Sequence, residues 1–185
     1  DVGCGIGGSS RILAKYYGFN VTGITISPAQ VKRARELTPL GLNCNFQVMD
    51  ALDLKFEDGS FDAVWSVEAG AHMNDKVKFA DEMLRTLRPG GYLALADWNS
   101  RDLSAFPPSF FEKWVLKQLL EQWVHPNFIS INEFGNILRT SKNSAGRVIS
   151  ANWNSYTNPS WYDSIFEGIR RPFAILSLGP FALVK

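Results

Sequence analysis

Four side chains able to accept or hold a proton stand out: Glu68, His72 and Asp97 near the ends of strand-like runs, and His125 in the later aromatic-rich insertion. Glu68 and His72 lie four residues apart just past one such run, Asp97 closes another, and His125 sits in Gln122-Trp123-Val124-His125-Pro126. Imidazole titrates near neutral pH and a positioned carboxylate accepts a proton from an acidic hydroxyl, so all four are candidate general bases. Each also has a plain structural explanation. Glu68 can hydrogen-bond backbone amides, His72 can order or cap a turn, Asp97 can brace a strand end, and His125 can be a turn residue before proline. The sequence does not choose one base, and the two histidines lead.

A second constellation opens the chain: Asp1-Val2-Gly3-Cys4-Gly5-Ile6-Gly7-Gly8-Ser9-Ser10. Glycines at this spacing before a helix let the backbone turn tightly and approach a nucleotide-like ligand without Cβ clashes. Gly3, Gly5 and Gly8 satisfy the dinucleotide pattern G-x-G-x-x-G, while Gly3, Gly5 and Gly7 satisfy the G-x-G-x-G of S-adenosyl-L-methionine sites. Both patterns want an acid for the ribose after the next strand, and Thr25 stands there, which favours neither. A strand should feed the loop and only Asp1 and Val2 remain of it, so the chain reads as a piece truncated at its start.

Composition narrows the classes. The net charge of +1 lacks the basic excess of nucleic-acid binders. Cys4 and Cys44 form no disulfide or zinc pattern, and with 2 histidines no metal site is expected. No apolar run reaches the ~20 residues that span a bilayer. Of the 6 Trp, all but Trp65 follow position 97, so the second half has a different task from the first.

The elements that must position these residues alternate over the first hundred positions. The spacing predicts a helix over Ser9–Gly18, a strand over Phe19–Ile26, and a helix capped by Ser27 with Pro28 in its first turn. A strand over Asn45–Met49 and a strand over Phe61–Val67 follow. A helix over Asp75–Leu87, a break at Arg88–Gly91 and a strand over Tyr92–Trp98 complete the run. This predicts an α/β fold, a mostly parallel sheet with helices on both faces, whose ligands sit at the carboxyl ends of the strands. Beyond Arg101 we expect helices over Phe106–Trp123, Asn132–Ser141 and Pro159–Arg170, with a sixth strand over Arg147–Tyr156. The expected organisation is one domain: a ligand-binding core over 1–100, and cap helices, sixth strand and an incomplete end over 101–185.

Three further features bear on the ligand. Asp50-Ala51 follows the Asn45–Met49 strand, where a carboxylate can accept from an adenine amino group. Phe61-Asp62-Ala63-Val64-Trp65-Ser66 and Leu87-Arg88-Pro89-Gly90-Gly91-Tyr92-Leu93 complete a spacing that resembles Rossmann-like class I S-adenosylmethionine-dependent methyltransferases. An NAD-dependent oxidoreductase and a non-catalytic cofactor-binding protein are the competing classes.

The resemblance becomes closer in DVGCGIGGSSR (1–11), GITISPAQ (23–30), WSVEAGAHMNDK (65–76), ADWNSRD (96–102) and the later LLEQWVHPNF. These segments resemble the tocopherol-pathway methyltransferases, in particular the cyanobacterial branch acting on 2-methyl-6-phytyl-1,4-benzoquinol. The resemblance implies S-adenosyl-L-methionine as cofactor and C-methylation of a prenylated quinol ring. A tocopherol chromanol, a sterol, an amine or another small molecule is the alternative acceptor. It implies that Thr25 in place of the acid is a family trait, and that relatives continue past Lys185. It places Asp1, Gly3, Gly5 and Gly7 around the methionine part, Ser66 beside it, Thr25, Ile26 and Gln30 at the ribose, and Asp50 and Ala51 at the adenine. Ser10 and Arg11 are expected to brace the loop.

A ring carbon ortho to a phenol is nucleophilic when the phenol is deprotonated, and a phenol resembles Tyr with a pKa of about 10, so a base is required. Phe106, Phe110, Phe111, Trp114, Trp123 and Trp153 are candidate walls for a prenyl tail or a self-packed cap. Trp161-Tyr162, Ile165-Phe166, Arg170-Arg171 and the apolar 173–184 fit peripheral contact with a membrane. The resemblance implies a cytoplasmic enzyme, peripheral at a thylakoid or plasma membrane, or plastid in a eukaryote. Oligomeric state is not legible.

Overall fold

A computed structural model describes residues 1–170 apart from 124, 125, 127 and 145. The chain runs α1 (Gly8–Tyr17), β1 (Val21–Thr25), α2 (Pro28–Glu36), β2 (Cys44–Val48), β3 (Phe61–Val67), a 3-10 turn (Gly70–His72), α3 (Lys76–Thr86), β4 (Leu87–Ala96), α4 (Phe110–Trp123), α5 (Ile131–Thr140) and α6 (Asn154–Arg170).

Two parallel ladders form the sheet, β1 with β2 and β3 with β4. Val2 joins them. It forms a parallel bridge with Ile24 of β1, and its N–H donates to the Trp65 carbonyl of β3 at 2.8 Å. The spatial order is therefore β2, β1, the Val2 segment, β3, β4. All these segments run the same way, so Gly3, Thr25, Met49, Val67 and Ala96 end on one edge.

At β1 both faces are covered, and its side-chain alternation divides the core in two, whereas β4 leaves Tyr92, Ala94 and Ala96 exposed on one face. Ile24 faces a cluster with Val2, Ala51, Leu54, Val64, Phe79, Met83 and Phe134. Gly23 faces the opposite cluster of Cys4, Val31, Ala34 and Phe46; a Cβ there would come 2.7 Å from the Phe46 ring. Phe79, Ala80 and Met83 share one stripe of α3 and are wholly buried, which is why this segment is helical and where it packs. Side chains set the ends: Ser27 caps α2 through Gln30 N–H, Asp75 caps α3 through Lys78 N–H, and Gly18 ends α1 at φ 72°.

Two expectations change. No sixth strand forms over Arg147–Tyr156, because α6 begins at Asn154. The Trp153 carbonyl accepts from Tyr156 and Thr157 N–H at 2.9 and 3.1 Å, and Asn152 Oδ1 accepts from Asn154 N–H. Local capping thus takes the backbone groups that a ladder would need, and Pro159 lies inside the helix instead of opening it. Likewise the Arg88–Gly91 break does not separate α3 from β4. Phe61 pairs with Leu87 and Ala63 with Tyr92, so the Pro-Gly-Gly run is absorbed as a bulge inside the strand.

Beyond β4, Ser100 bridges Ser130, and α5 starts there with the Ser130 hydroxyl capping Glu133 N–H at 3.1 Å. Phe134 carries α5 onto the core. Phe106, Phe110, Phe111, Trp114 and Trp153 stand exposed, with Phe111 and Trp114 stacked at 6.0 Å. The Trp123 side chain and residues 171–185 lie outside the described residues.

Candidate active site

The glycine loop leaves the sheet beside β1, with the N–H groups of Gly3 and Cys4 donating to the Ile24 carbonyl at 2.9 and 2.8 Å. Its glycines serve different ends. Gly3 has φ +77°, and a Cβ there would lie 2.3 Å from Ala69 Cβ, so the loop is packed against the segment after β3. Gly5 has φ +54° and nothing within 4 Å of a Cβ, so its backbone borders open space. Open space of this kind lets another molecule approach the backbone closely.

Asp1 Oδ2 accepts from the hydroxyls of Ser9 and Ser10 at 2.7 and 2.6 Å, tying the strand end to the first turn of α1. Arg11 Nη1 donates to the Ile6 carbonyl at 2.7 Å and braces the loop from outside. At Gly7 a Cβ would meet the Phe46 ring at 2.5 Å, so this glycine serves packing.

At the end of β1, Thr25 is buried and its hydroxyl donates to Gln30 Oε1 at 2.7 Å while accepting from Ser27 N–H at 3.3 Å. Gln30 is thereby pinned at the start of α2, exposed at the edge, and Ile26 beside it is 73% exposed. Met49 N–H donates to the Thr25 carbonyl at 3.0 Å, which sets the end of β2 alongside. There Asp50 is exposed, its Oδ1 accepting from Leu52 N–H at 2.8 Å, and Ala51 is buried behind it.

Ser66 lies on β3 beside the strand that feeds the glycine loop. Its wholly buried hydroxyl donates to the Val2 carbonyl at 2.9 Å, so the side chain locks β3 to the loop strand.

Past β3, Glu68 adopts φ 54°, the one positive value among the described non-glycine residues, while its N–H donates to the Ala96 carbonyl at 2.8 Å. Strained backbone of this kind concentrates at functional sites. The 3-10 turn carrying exposed His72 follows at once.

Asp97, just beyond β4, lies against that turn. Burial pushes its carboxyl up to about 6, against the hydrogen bonds from the Trp98 and Ala71 backbone and the attraction of Lys76. Lys76 went unnoticed in the sequence, yet its half-buried ammonium donates to the carbonyls of Gly70, Ala71 and Met73. A cation as the first residue of a helix opposes the helix dipole, and that oddity was the available signal. Glu68, His72 and Asp97 thus gather on one edge with Gly5, Gln30 and Asp50, whereas His125 lies outside the described residues.

An α/β sheet whose glycine loop, Thr25–Gln30 pair and Asp50 share the carboxyl edge is an arrangement for a nucleoside-bearing ligand. A methyltransferase-domain family model matches residues 1–95, just over half of the chain. The chain belongs to the methyltransferase domain family.

This methyltransferase domain is 57% identical over 185 residues to the 2-methyl-6-phytyl-1,4-hydroquinone methyltransferase of a Synechocystis species, covering 100% of this chain and 58% of that protein. It is 42% identical over 166 residues to the chloroplastic tocopherol O-methyltransferase of Arabidopsis thaliana, covering 87% of this chain and 47% of that one. The chain therefore spans about half the length of the curated relatives it matches. Among solved structures, the geranyl diphosphate C-methyltransferase of Streptomyces coelicolor, a complex with S-adenosyl-L-homocysteine, superposes with a TM-score of 0.62 at 29% identity. That match covers 77% of this chain and 50% of the other.

Proposed function

We propose that this methyltransferase domain binds S-adenosyl-L-methionine and directs its methyl group to a ring carbon of a prenylated 1,4-benzoquinol. The observation that carries the reading is the 57% identity along the whole chain to a hydroquinone methyltransferase. The donor edge fits the cofactor on its own terms. Gly5 leaves open space for a close backbone approach, Gln30 is pinned toward the edge by Thr25, and Asp50 offers an exposed acceptor. When bound, the cofactor supplies an electrophilic methyl on a sulfonium.

In this reading Gly3, Gly5 and Gly7 shape the methionine end, with Asp1 holding the loop through Ser9 and Ser10. Thr25, Ile26 and Gln30 flank the ribose, and Asp50 accepts from the adenine amino group over Ala51. Residues 1–100 form the donor-binding core, and the helices from 101 onward cover the acceptor.

His72 takes the phenolic proton, which puts charge on the ortho carbon and makes it the attacking atom. The hydrogen on that carbon then leaves as a proton to solvent while the phenolic oxygen recovers the proton held by His72, which restores the aromatic quinol. Glu68 lines the junction between donor and acceptor. Asp97 has its oxygens directed to backbone N–H groups and supports the turn. Collinear placement of donor, methyl and carbon is the largest contribution the protein makes.

The exposed aromatic surface of α4 and Trp153 suits a prenyl tail or the membrane that dissolves it. Among the described residues no helix is long and apolar enough to cross a membrane.

Full-length protein given S-adenosylmethionine and reduced 2-methyl-6-phytyl-1,4-benzoquinone tests the reading. Ring C-methylated product identified by mass spectrometry is expected, and unreacted quinol or a methyl ether overturns it.

A further inference from the structure

The 3-10 turn after Glu68 is gripped at both electrical poles. Its carbonyl pole converges on one ammonium: Lys76 Nζ donates to Gly70 at 2.5 Å, to Met73 at 2.7 Å and to Ala71 at 3.1 Å. An ammonium has three donors, and all three are matched to carbonyls here. The amide pole meets Asp97, whose carboxylate accepts from Ala71 N–H and, through Oδ1, from Trp98 N–H at 2.9 Å. Contact at this pole leaves no slack, because a Cβ on Gly70 would lie 2.1 Å from Asp97 Oδ2. The turn itself closes with His72 N–H donating to the Ala69 carbonyl at 3.1 Å and Met73 N–H to Gly70 at 3.0 Å.

Apart from these carbonyls, the Asp97 carboxylate is the group that favours a cation at position 76. It begins α3, where the helix dipole repels positive charge, and burial lowers the pKa of its ammonium. The hydrogen bonds that compensate all run to the turn bearing His72, and the Asp97 carboxylate on its other pole adds attraction. We propose that Lys76 is a positioning residue: by holding the carbonyl pole of the Gly70–His72 turn against Asp97, it sets the direction from which His72 meets the acceptor. This rests on the reading of His72 as the acceptor-side base.

The test uses full-length protein carrying Lys76→Met, which keeps the stem and removes the charge, and Lys76→Arg, whose flat guanidinium cannot converge on three carbonyls at once. Amide exchange at residues 70–73, S-adenosylhomocysteine affinity and quinol kinetics are measured for each, alone and combined with His72→Asn. Lys76→Met is expected to lower kcat about 10- to 100-fold with the donor's affinity kept within about twofold, since a displacement near 1 Å has that effect on aligned groups. Exchange at the turn should quicken, with Lys76→Arg intermediate in both. In the His72→Asn background the loss from Lys76→Met should shrink to about twofold, as coupled residues require.

An equal loss in both backgrounds, or an unchanged kcat with a loosened turn, overturns the proposal. Should Lys76→Met fail to fold, an Arg variant with wild-type exchange and kcat does the same. A fully active His72→Asn protein would instead sink the reading of His72, while turn exchange still reports on Lys76.

Discussion

The Thr25 hydroxyl donates to Gln30 Oε1 at 2.7 Å, so the residue standing where a ribose-binding acid is expected turns to a neighbour. Thr25 is buried and Gln30 is exposed, which moves the polar contact one helical turn outward. Gln30→Ala should therefore raise the dissociation constant for S-adenosylhomocysteine about tenfold, and Thr25→Val, which frees Gln30, by a similar factor. The double variant should be little worse than either alone, because both remove one unit. Calorimetric titration of the three proteins checks this; additive losses would separate the two residues.

Asp50 has two duties that substitution can separate. Its Oδ1 holds the Leu52 N–H, so Asp50→Ala loses both the turn and the adenine acceptor, whereas Asp50→Asn keeps one oxygen, which can hold the turn, and loses the second acceptor. We expect the Ala variant to weaken donor binding at least about tenfold and the Asn variant by a smaller factor. Unchanged binding in Asp50→Ala would place the adenine elsewhere.

Gly3 and Gly5 should respond oppositely to alanine. At Gly3 the positive φ coincides with a 2.3 Å collision against Ala69 Cβ, so Gly3→Ala should unfold the protein or lower its melting temperature steeply. At Gly5 the space is open, and only the left-handed backbone costs, about 1–2 kcal/mol. Gly5→Ala should stay folded and lose its response to S-adenosylhomocysteine. Melting curves with and without S-adenosylhomocysteine, and with NADH as the contrasting ligand, read both effects. A Gly5→Ala protein still stabilised by the ligand would contradict the role given to that gap.

These assignments show where the sequence was readable. The alternation over the first hundred residues, the caps at Ser27 and Gly18, and the Phe79–Met83 stripe follow from local chemistry and appear where periodicity puts them. The carboxyl edge was legible for the same reason, since strand direction alone brings Gly5, Thr25, Asp50, Glu68 and Asp97 together. What stayed hidden depends on contacts far apart in the chain. The partner of Ser66 is Val2, the strain at Glu68 arises where its N–H reaches Ala96, and Lys76 earns its place only through a folded turn. Arg147–Tyr156 misled for the opposite reason: its apolar alternation resembled a strand, but Trp153 and Asn152 cap a helix locally.

Asp97 carries a pH signature. Burial raises its carboxyl from 3.8 to about 6, so the folded state binds this proton more tightly than the unfolded state. Its contribution to stability is complete below about pH 4 and is lost as pH rises through 6, by an amount of order 3 kcal/mol. Glu82, Asp53, Asp102 and Glu112 are held below the usual carboxylate range by their partners and act in the opposite sense. The difference in melting temperature between wild type and Asp97→Asn, followed from pH 4.5 to 7.5 (roughly the span of the Asp97 shift), isolates the term. The wild type should lose ground to the variant as pH rises; a difference independent of pH would contradict the burial of an ionising Asp97.

Competition between acceptors for a labelled donor decides the destination of the methyl group. Full-length protein is offered methyl-labelled S-adenosylmethionine with equal amounts of 2-methyl-6-phytyl-1,4-benzoquinol, its analogue lacking the prenyl tail, γ-tocopherol, a sterol and an amine, and products are identified by mass spectrometry. Most of the label should enter a ring carbon of the prenylated quinol, and His72→Asn should lower this by about 100-fold or more while S-adenosylhomocysteine still binds. Label in the amine or the sterol, with the quinol untouched, would contradict that destination.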